Sequence, residues 1–600
     1  MVNIVTGSGA RGGYLCAHPG IDKVAFTGST GVGQTLRRET AGLGVKISLE
    51  LGGKSPCVVY ESADLDSAVE SVVLAIWFNQ GQVCCAGSRL LVQESVKDDF
   101  IERLKRKMRT LRVGNSLDKC MDVGAIVDRS QYDSVLEYIR IARDEEGAQV
   151  FQTEMDAADT AKGLFIPPTL VWDVQSCSKL VMEEIFGPVL TVQSFRSPAE
   201  AVALANNTPF GLAGSVHTEN IGLALETAIQ IKAGVIWVNC HNMFDAAAGF
   251  GGYKESGFGR EGGKEGLFLY VRPQWQSRPR PSVSDAQKKN AGWGKASPAT
   301  LPALPGALPN GGGAAGFPSV DRTAKLYIGG KQARPDGAYS WPVLTPGGTL
   351  IDQVGDGNRK DIRNAVEAAN KAAPGWGKRA AHNRAQICYY IAENLSIRAD
   401  EFAGRIAAMT GRSLKDAAGE VDASISRLFT WAAWADKYGG CVQETTLYGL
   451  TAQINEPVGV IAMLCPTEFP LLGLVSLIAP AVVRGNAVVV VPSEKHPLCA
   501  TDLYQVLETS DLPAGVINIV TGQRDHLAKT LADHQDVDSI WYSGSAEGSY
   551  HVEHLSAKNM KRTLVDYGEE RDWYDREQGE GHDFLHEATQ VKNIWVPMGA

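Results

Sequence analysis

The run Ala487-Val-Val-Val-Val491 is apolar throughout and β-branched at every position after the first, which is typical of a strand buried on both faces of a sheet. Two further short, mainly apolar runs are Val458-Gly-Val-Ile-Ala-Met463 and Val516-Ile-Asn-Ile-Val520. Longer stretches of helical character lie around them, for example residues 360–373 and 382–399. Short apolar runs that alternate with helices predict parallel strands joined by crossover helices. We therefore predict an α/β fold with parallel, doubly wound sheets.

Length and composition restrict the classes of protein to which the chain can belong. Its 600 residues exceed what a single core holds, so several domains are expected. With 44% hydrophobic and 21% charged residues, the composition is that of a soluble globular protein. A net charge of -10 without a basic, aromatic-rich run argues against a nucleic-acid partner. The longest apolar run, residues 469–483, contains prolines and is too short to span a bilayer, so it predicts a core helix and no membrane span.

The eleven cysteines are odd in number and form no CxxC pair, so a disulfide framework is not expected. Free thiols favour a reducing compartment, and the first residues lack the pattern of a signal peptide, so we predict a cytoplasmic protein. Zinc needs spaced Cys/His clusters. The nearest candidate group, His582, His586 and Glu587, lies in a charged stretch that indicates solvated surface. No metal site is predicted.

One segment divides the chain into two lobes. Residues 273–323 are rich in Pro, Gly and Ala and have no hydrophobic periodicity, which predicts a flexible linker. The first lobe is residues 1–272 and the second lobe is residues 324–600.

The two lobes share a repeat. Val2-Asn-Ile-Val-Thr-Gly7 recurs as Ile517-Asn-Ile-Val-Thr-Gly522. Ile21-Asp-Lys-Val-Ala-Phe-Thr-Gly-Ser29 follows the first copy, and Val537-Asp-Ser-Ile-Trp-Tyr-Ser-Gly-Ser545 follows the second at nearly the same spacing. Such agreement indicates a duplicated domain. In the second lobe, a long stretch with the pattern of folded sequence precedes the repeat, whereas in the first lobe a single methionine precedes it. We therefore expect the first lobe to begin inside its domain.

Two segments carry residues suited to covalent chemistry. Phe78-Asn-Gln-Gly-Gln-Val-Cys-Cys-Ala-Gly-Ser-Arg89 places a thiol in a Gly-rich turn between a helical stretch and a strand at residues 90–92. Leu49-Glu-Leu-Gly-Gly-Lys-Ser-Pro56 places a carboxylate before a Gly-Gly turn. A lone Cys is usually a small buried hydrophobe and a lone Glu usually lies on the surface. Together, a nucleophile and a carboxylate that activates water are the minimum set for catalysis through a thioester.

Both segments resemble the two signatures of the NAD(P)-dependent aldehyde dehydrogenases. The resemblance assigns the nucleophile to Cys84, the general base to Glu50 and the substrate to a small-molecule aldehyde. Further similar segments follow in family order: Glu183-Glu-Ile-Phe-Gly-Pro188, Ile236-Trp-Val-Asn239 and Phe250-Gly-Gly-Tyr-Lys-Glu-Ser-Gly257. Phe26-Thr-Gly-Ser-Thr-Gly-Val-Gly33 resembles the loop that holds the cofactor pyrophosphate. The likeness implies NAD, with NADP also open, bound by Gly28, Ser29, Gly33, Leu51, Glu184 and Phe186.

The second lobe resembles a cofactor domain of the same family with altered chemistry. In Pro466-Thr-Glu-Phe-Pro470, Glu468 stands where the family has the oxyanion Asn, and a carboxylate there repels an oxyanion. Val491 replaces a ribose-binding Lys and Val565 replaces the base. No cysteine box follows, and the chain runs into an acidic stretch after Gly568. The second lobe therefore resembles an inactive module.

A catalytic module followed by a partial, inactive one is similar to aldehyde dehydrogenase family 16. Two functions remain open for this 600-residue chain. It is either a dehydrogenase whose first module is competent, or a non-catalytic pseudoenzyme that acts as a scaffold for protein interactions. The expected partners are a second copy of the chain or another protein bound through the second module.

Overall fold

The structure is a computed structural model that describes residues 2–155, 163–277, 279, 281–296 and 323–598. The first lobe contains twelve described strands: β1 (Lys23–Thr27), β2 (Lys46–Glu50), β3 (Pro56–Val59), β4 (Arg89–Gln93), β5 (Gln149–Gln152), β6 (Thr169–Trp172), β7 (Val189–Phe195), β8 (Phe210–Gly211), β9 (Ala213–His217), β10 (Val235–Val238), β11 (Tyr253–Lys254) and β12 (Gly257–Phe258). Its described α-helices are α1 (Gly9–Cys16), α2 (Thr30–Glu39), α3 (Leu65–Trp77), α4 (Lys97–Met108), α5 (Arg129–Arg140), α6 (Lys179–Met182), α7 (Pro198–Asn206), α8 (Ile221–Gln230) and α9 (Gly263–Leu267).

The remaining elements belong to the linker and the second lobe. The strands are β13 (Leu326–Ile328), β14 (Lys331–Ala333), β15 (Ser340–Leu344), β16 (Leu350–Gly355), β17 (Cys441–Gln443), β18 (Gly449–Pro457), β19 (Val460–Leu464), β20 (Ala487–Val491), β21 (Ile517–Ile519), β22 (Ser539–Tyr542), β23 (Arg562–Val565) and β24 (Thr589–Pro597). The helices are α10 (Asp285–Lys288), α11 (Arg359–Gly377), α12 (Ala381–Ile397), α13 (Ala399–Thr410), α14 (Leu414–Trp434), α15 (Leu472–Val483), α16 (Leu498–Glu508), α17 (Arg524–Asp533), α18 (Ala546–Ser556), α19 (Arg576–Gly579) and α20 (His582–Glu587).

The second lobe is built on a seven-stranded sheet of order β14-β13-β21-β20-β19-β22-β23, whose last five strands are parallel. The run 487–491 forms β20 and is buried on both faces, because Val488 and Val490 enter one core cluster while Val489 and Val491 enter another. The apolar run after Phe469 forms α15, and every residue of this helix is buried. The predicted α/β fold with parallel, doubly wound sheets is confirmed. Among the residues described, every helix is too short or too polar to cross a membrane.

The largest sheet joins the two lobes. Its ten strands run in the order β17-β18-β24-β10-β9-β3-β4-β7-β6-β5. Strand β24, near the C-terminus, pairs in parallel with β10 through the register Val235↔Asn593 to Trp237↔Trp595. Antiparallel β18 covers the other side of β24 along nine residues. Three strands of the second lobe therefore extend the sheet of the first, an arrangement that sequence analysis did not anticipate.

The two copies of the repeat differ in structure. In the second copy, Ile517–Ile519 forms β21, which lies between β20 and β13. In the first copy, the matching residues 2–7 belong to no described strand and are exposed. The following strand is present in both copies, as β1 and as β22. In the first lobe, β1 pairs with β2, and antiparallel β12 completes a small three-stranded sheet.

Two segments that sequence analysis treated as unpacked are folded. Residues 281–296 of the predicted linker include α10 and pack on the second lobe through Trp293, which is 7% exposed. The predicted linker residues 278, 280 and 297–322 lie outside the described part of the chain. The acidic stretch after Gly568 also folds, because Trp573, Phe584 and Leu585 enter the core of the second lobe. Residues 582–587 are thus a partly buried helix and not a solvated surface.

Candidate active site

The Gly-Gly turn after β2 brings three functional segments together. Strand β2 ends at Glu50, and Gly52 and Gly53 follow. A Cβ atom on Gly52 would lie 2.3 Å from the Glu184 Oε2 atom, and one on Gly53 would lie 2.4 Å from the Cys84 carbonyl oxygen. Any side chain at these two positions would force the segments apart. The glycines therefore allow Glu50, Cys84 and Glu184 to share one site.

The cysteine loop depends on a left-handed backbone after α3. Asn79, Gln80 and Gly81 have φ values of 50°, 59° and 71°. A Cβ atom on Gly81 would lie 2.3 Å from the Gly187 carbonyl oxygen, so this turn requires glycine. The turn redirects the chain so that Cys84 is half-buried and Cys85 is buried.

Hydrogen bonding and burial distinguish Cys84 from its neighbours. The hydrogen bond from the Cys85 side chain lowers the pKa of Cys84, against the opposing effects of burial and of the Glu184 and Glu50 charges. Burial raises the pKa of Cys57 to about 11 and that of Cys240 to about 12. Among these three thiols, Cys84 has the greatest thiolate character, and the thiolate is the nucleophilic form.

Glu50 has the electrostatics of a base that works near neutral pH. Burial, followed by the charge of Glu261, raises its pKa to about 7, whereas Arg260 acts in the opposite direction. Its Oε1 atom is buried and has no hydrogen-bond partner among the described residues. A general base is most effective when its pKa lies near the working pH. The Glu50 carboxyl fits that requirement.

Glu184 lies against the Gly-Gly turn. Its Oε1 atom accepts a hydrogen bond from the Gly53 N–H at 3.1 Å, and burial raises its pKa. The negative charge of Glu184 raises the pKa of the buried Lys54 ammonium, but burial has the larger effect and lowers this pKa to about 7. Phe186 is 37% exposed, has a φ of 52°, and its carbonyl accepts from Gln131 Nε2.

The predicted pyrophosphate loop lies beside the same strand end. The Gly28 N–H donates to the Glu50 carbonyl at 3.1 Å, which joins this loop to the candidate base. The Ser29 hydroxyl accepts from Val32 N and caps α2. A Cβ atom on Gly33 would lie 2.5 Å from the buried Leu51 side chain, so this glycine allows α2 to pack closely on β2.

The first turn of α2 contains no acidic residue, and the buried Thr30 hydroxyl in it has no hydrogen-bond partner among the described residues. A helix N-terminus of this kind fits an anion such as a pyrophosphate.

The site includes three residues that sequence analysis missed. Lys54 lies within the quoted base segment, but a lysine in a turn is usually solvated and its burial could not be predicted. Arg260 and Glu261 follow the glycines at positions 257 and 259, and nothing in the sequence connects them to Glu50. Pairing of β12 with β2 makes that connection, because Gly257 is the partner of Glu50 in the register.

A sequence profile of the aldehyde dehydrogenase family matches residues 1–276 and 333–572. This chain belongs to the aldehyde dehydrogenase family. It is similar to an aldehyde dehydrogenase of Emericella nidulans, with 43% identity over 276 residues that cover 45% of this chain and 54% of the relative. Identity to the mitochondrial aldehyde dehydrogenase of Homo sapiens is also 43%, over 45% of this chain and 52% of the relative.

Solved structures give similar coverage. A betaine aldehyde dehydrogenase from Staphylococcus aureus, solved in complex with NAD+, is 37% identical over 45% of this chain and 54% of its own, with a TM-score of 0.43. An NAD-dependent aldehyde dehydrogenase from Sinorhizobium meliloti has the same identity and TM-score. The chain spans about half the length of the curated relatives it matches.

The second lobe of this aldehyde dehydrogenase family member does not reproduce the site. Glu468 is exposed, Val491 is fully buried, and β23 ends at Val565 where β2 ends at Glu50. The next residue, Asp566, accepts hydrogen bonds from the backbone N–H groups of Gly544 and Gly568. The candidate catalytic groups therefore all lie in the first lobe.

Proposed function

We propose that the chain is an oxidoreductase that converts an aldehyde to a carboxylic acid with NAD, NADP not being excluded, through a thioester on Cys84. One observation carries the proposal. A half-buried thiol of lowered pKa shares a site with a carboxyl group whose pKa is about 7. Nucleophile and base of this kind are what a covalent route through a thioester requires.

The first step forms a bond between the Cys84 sulfur and the aldehyde carbon. The thiolate attacks, and the carbonyl oxygen becomes an oxyanion in a thiohemiacetal. When bound, NAD would supply the hydride acceptor, and Cys84 would then hold the oxidised carbon as a thioester.

The second step belongs to Glu50. Its carboxylate takes a proton from water as the water attacks the thioester carbon. The carbon–sulfur bond breaks, the acid leaves, and the Cys84 thiolate is restored.

The residues that would hold NAD form two groups. Gly28, Ser29 and Gly33, with the underlying Leu51, would place the N-terminus of α2 at the pyrophosphate. Glu184 and Phe186 would hold the nicotinamide ribose and ring, as the family resemblance implies.

For the second lobe we propose an inactive module of the family 16 type. Strand β24 supports a structural role, because it adds directly to the sheet of the first lobe. A non-catalytic scaffold that binds a second copy or another protein is the alternative function for the whole chain. All eleven cysteines are free, which favours a reducing compartment such as the cytoplasm.

The test is to incubate the full chain with NAD and a panel of aldehydes and to follow NADH absorbance. Cys84→Ala should lower the rate by at least about a thousandfold, because no other group replaces the nucleophile. Cys120→Ala is the matched control, since Cys120 is exposed and does not contribute to the pKa shifts of Cys84 and Glu50. Absence of NADH formation with every aldehyde, or an equal rate in Cys84→Ala, would favour the scaffold.

A further inference from the structure

A second loop of the first lobe holds the loop that contains the two adjacent cysteines. This second loop, residues 239–242, follows β10, and Asn239 and Asn242 in it have φ values of 50° and 58°. Asparagine adopts this left-handed conformation more readily than most residues that have a side chain. From this turn, His241 and Asn242 both contact Cys85. Two consecutive residues therefore act on the direct neighbour of the proposed nucleophile.

His241 fixes the backbone of Cys85. Its Nε2 atom donates to the Cys85 carbonyl at 3.1 Å, and the ring is buried against Trp237 with a centroid separation of 4.5 Å. Burial lowers the pKa of the imidazole to about 3, so the ring is neutral near neutral pH. Because a carbonyl can only accept, the single ring proton lies on Nε2. The Cys85 carbonyl is thus anchored by a donor that carries no charge.

Asn242 contacts the side chain of the same cysteine. The Cys85 sulfur donates to the Asn242 Oδ1 atom at 3.4 Å. The Cys85 side chain also forms the hydrogen bond that lowers the pKa of Cys84. A thiol has one proton and donates it to one acceptor at a time. Asn242 and Cys84 are therefore alternative acceptors for the Cys85 proton.

The Cys85 proton has a large effect on the nucleophile because the other groups around Cys84 oppose its ionisation. The hydrogen bond from Cys85 is the strongest influence on the Cys84 pKa, and it lowers this pKa. Burial and the charges of Glu184 and of Glu50, at the end of β2, raise it. The neutral His241 ring adds no charge. A group that draws the Cys85 proton away from Cys84 therefore weakens the nucleophile.

We propose that His241 and Asn242 are positioning residues that set the reactivity of Cys84 through Cys85. His241 fixes the Cys85 carbonyl so that the two sulfur atoms stay in contact, and Asn242 competes with Cys84 for the Cys85 proton. The Asn242 amide accepts this proton while an acyl group occupies the Cys84 sulfur, since a thioester sulfur has no negative charge. The Cys84 thiolate accepts it once the acid has left. The cycle described here rests on the thioester route proposed above.

The test is the pH dependence of Cys84 alkylation by iodoacetamide in the full chain, without aldehyde or NAD. Asn242→Gly removes the competing acceptor and tolerates the left-handed backbone. We expect its alkylation midpoint to move to lower pH, with modification at pH 6 about threefold faster or more. This is the net result of about tenfold more thiolate per unit of pKa and a lower intrinsic nucleophilicity.

Two further variants should move the midpoint in the opposite direction. Asn242→Asp also tolerates the left-handed backbone, but its carboxylate is a stronger acceptor and brings a negative charge toward Cys84. His241→Phe keeps a buried ring and loses the donor, so the contact between the two sulfur atoms weakens. Both variants should raise the midpoint and slow modification at pH 6.

Cys85→Ala is the matched control, because it removes the proton for which the two acceptors compete. In a Cys85→Ala chain, adding Asn242→Gly should leave the midpoint unchanged. A shift of equal size with and without Cys85 would show that Asn242 acts on Cys84 directly and would overturn the proposal. An unshifted midpoint in Asn242→Gly, or a downward shift in Asn242→Asp, would also overturn it. If Asn242→Gly does not fold, Asn242→Ala serves the same comparison. Alkylation is measured without turnover, so failure of this proposal is distinguishable from failure of the proposed dehydrogenase function.

Discussion

The two copies of the repeat have nearly the same sequence and different structures. Ile517 and Ile519 are 2% exposed in β21, whereas Val2, Ile4 and Val5 are 80–90% exposed. The later copy has β20 and β13 as neighbours, and the described part of the first lobe offers residues 2–7 no strand with which to pair. A parallel strand buries its faces and its backbone only within a complete sheet. The comparison shows that a local sequence can favour a strand, but that the strand forms only where neighbouring strands are present to pair with it.

The candidate catalytic residues are distributed in the opposite way between the two lobes. The first lobe has Glu50 at the end of β2, and the second lobe has Val565 at the end of β23. The second lobe instead supplies strands. The Val591 carbonyl of β24 accepts from Arg260, and Glu456 of β18 accepts from the Tyr253 hydroxyl at 2.8 Å. The first lobe thus contains the candidate catalytic groups, and the second lobe completes the ten-stranded sheet that contains β4, the strand after Cys84.

The largest expected effect comes from separating the lobes. Residues 1–272 alone lose β24, so β10 becomes an open edge and its apolar neighbours are uncovered. We expect this fragment to aggregate while the 600-residue chain stays in solution. Ultracentrifugation of the two proteins at equal concentration measures the difference. A soluble, monomeric and fully active fragment would show that the second lobe is not needed.

The next effect concerns Glu50, the proposed base, which lies at the end of β2 in the first lobe. Glu50→Gln should lower turnover by roughly 10²–10⁴-fold, the usual contribution of a general base. The Glu50 pKa of about 7 means that the unsubstituted chain loses its base as the pH falls through 7. Initial rates from pH 5.5 to 9 should therefore rise through about pH 7, and the rise should vanish in Glu50→Gln. A pH rise that persists in the variant would assign the titration to another group.

Alkylation compares thiols within the first lobe. At pH 8, an ordinary thiol of pKa about 8.5 is more than about a hundredfold more ionised than one with a pKa of about 11. Burial raises the pKa of Cys57 to about 11, whereas the pKa of Cys84 is lowered by the Cys85 hydrogen bond. Iodoacetamide should accordingly modify Cys84 at least about a hundredfold faster than Cys57 or Cys240. Peptide mapping at short times gives the ratio. Equal rates would mean that the Cys85 hydrogen bond does not activate Cys84.

How much of the structure could be predicted from the sequence depends on how far apart in the chain the interacting residues lie. Strand β20 could be predicted because its residues alone specify burial on both faces, and the importance of Gly52 and Gly53 follows from a turn beside a carboxylate. The pairing of β24 with β10 joins residues more than 350 positions apart, and the docking of Trp293 depends on two distant helices. Such contacts are set by the shape of the folded lobes, which local patterns do not encode.

The smallest expected effect is on the pKa of Glu50, through a neighbouring residue that contacts the second lobe. Arg260 donates through Nε and Nη2 to the Val591 carbonyl of the second lobe, and its charge lowers the pKa of Glu50. The charge of Glu261 acts in the opposite direction. Arg260→Gln should therefore move the acid limb of the rate profile to higher pH and lower the rate at pH 7 by a few-fold, whereas Glu261→Gln should move it to lower pH.

Opposite shifts from neighbouring residues distinguish electrostatic control from simple damage to the fold. Arg427→Lys is the control, since Arg427 is also buried and donates to the Trp573 carbonyl in the second lobe, yet it does not contribute to the Glu50 shift. We expect its profile to keep the original midpoint. If Arg260→Gln lowers the rate equally at every pH, then Arg260 merely joins the lobes. If the midpoint moves, the second lobe holds in place a charge that tunes the base of the first.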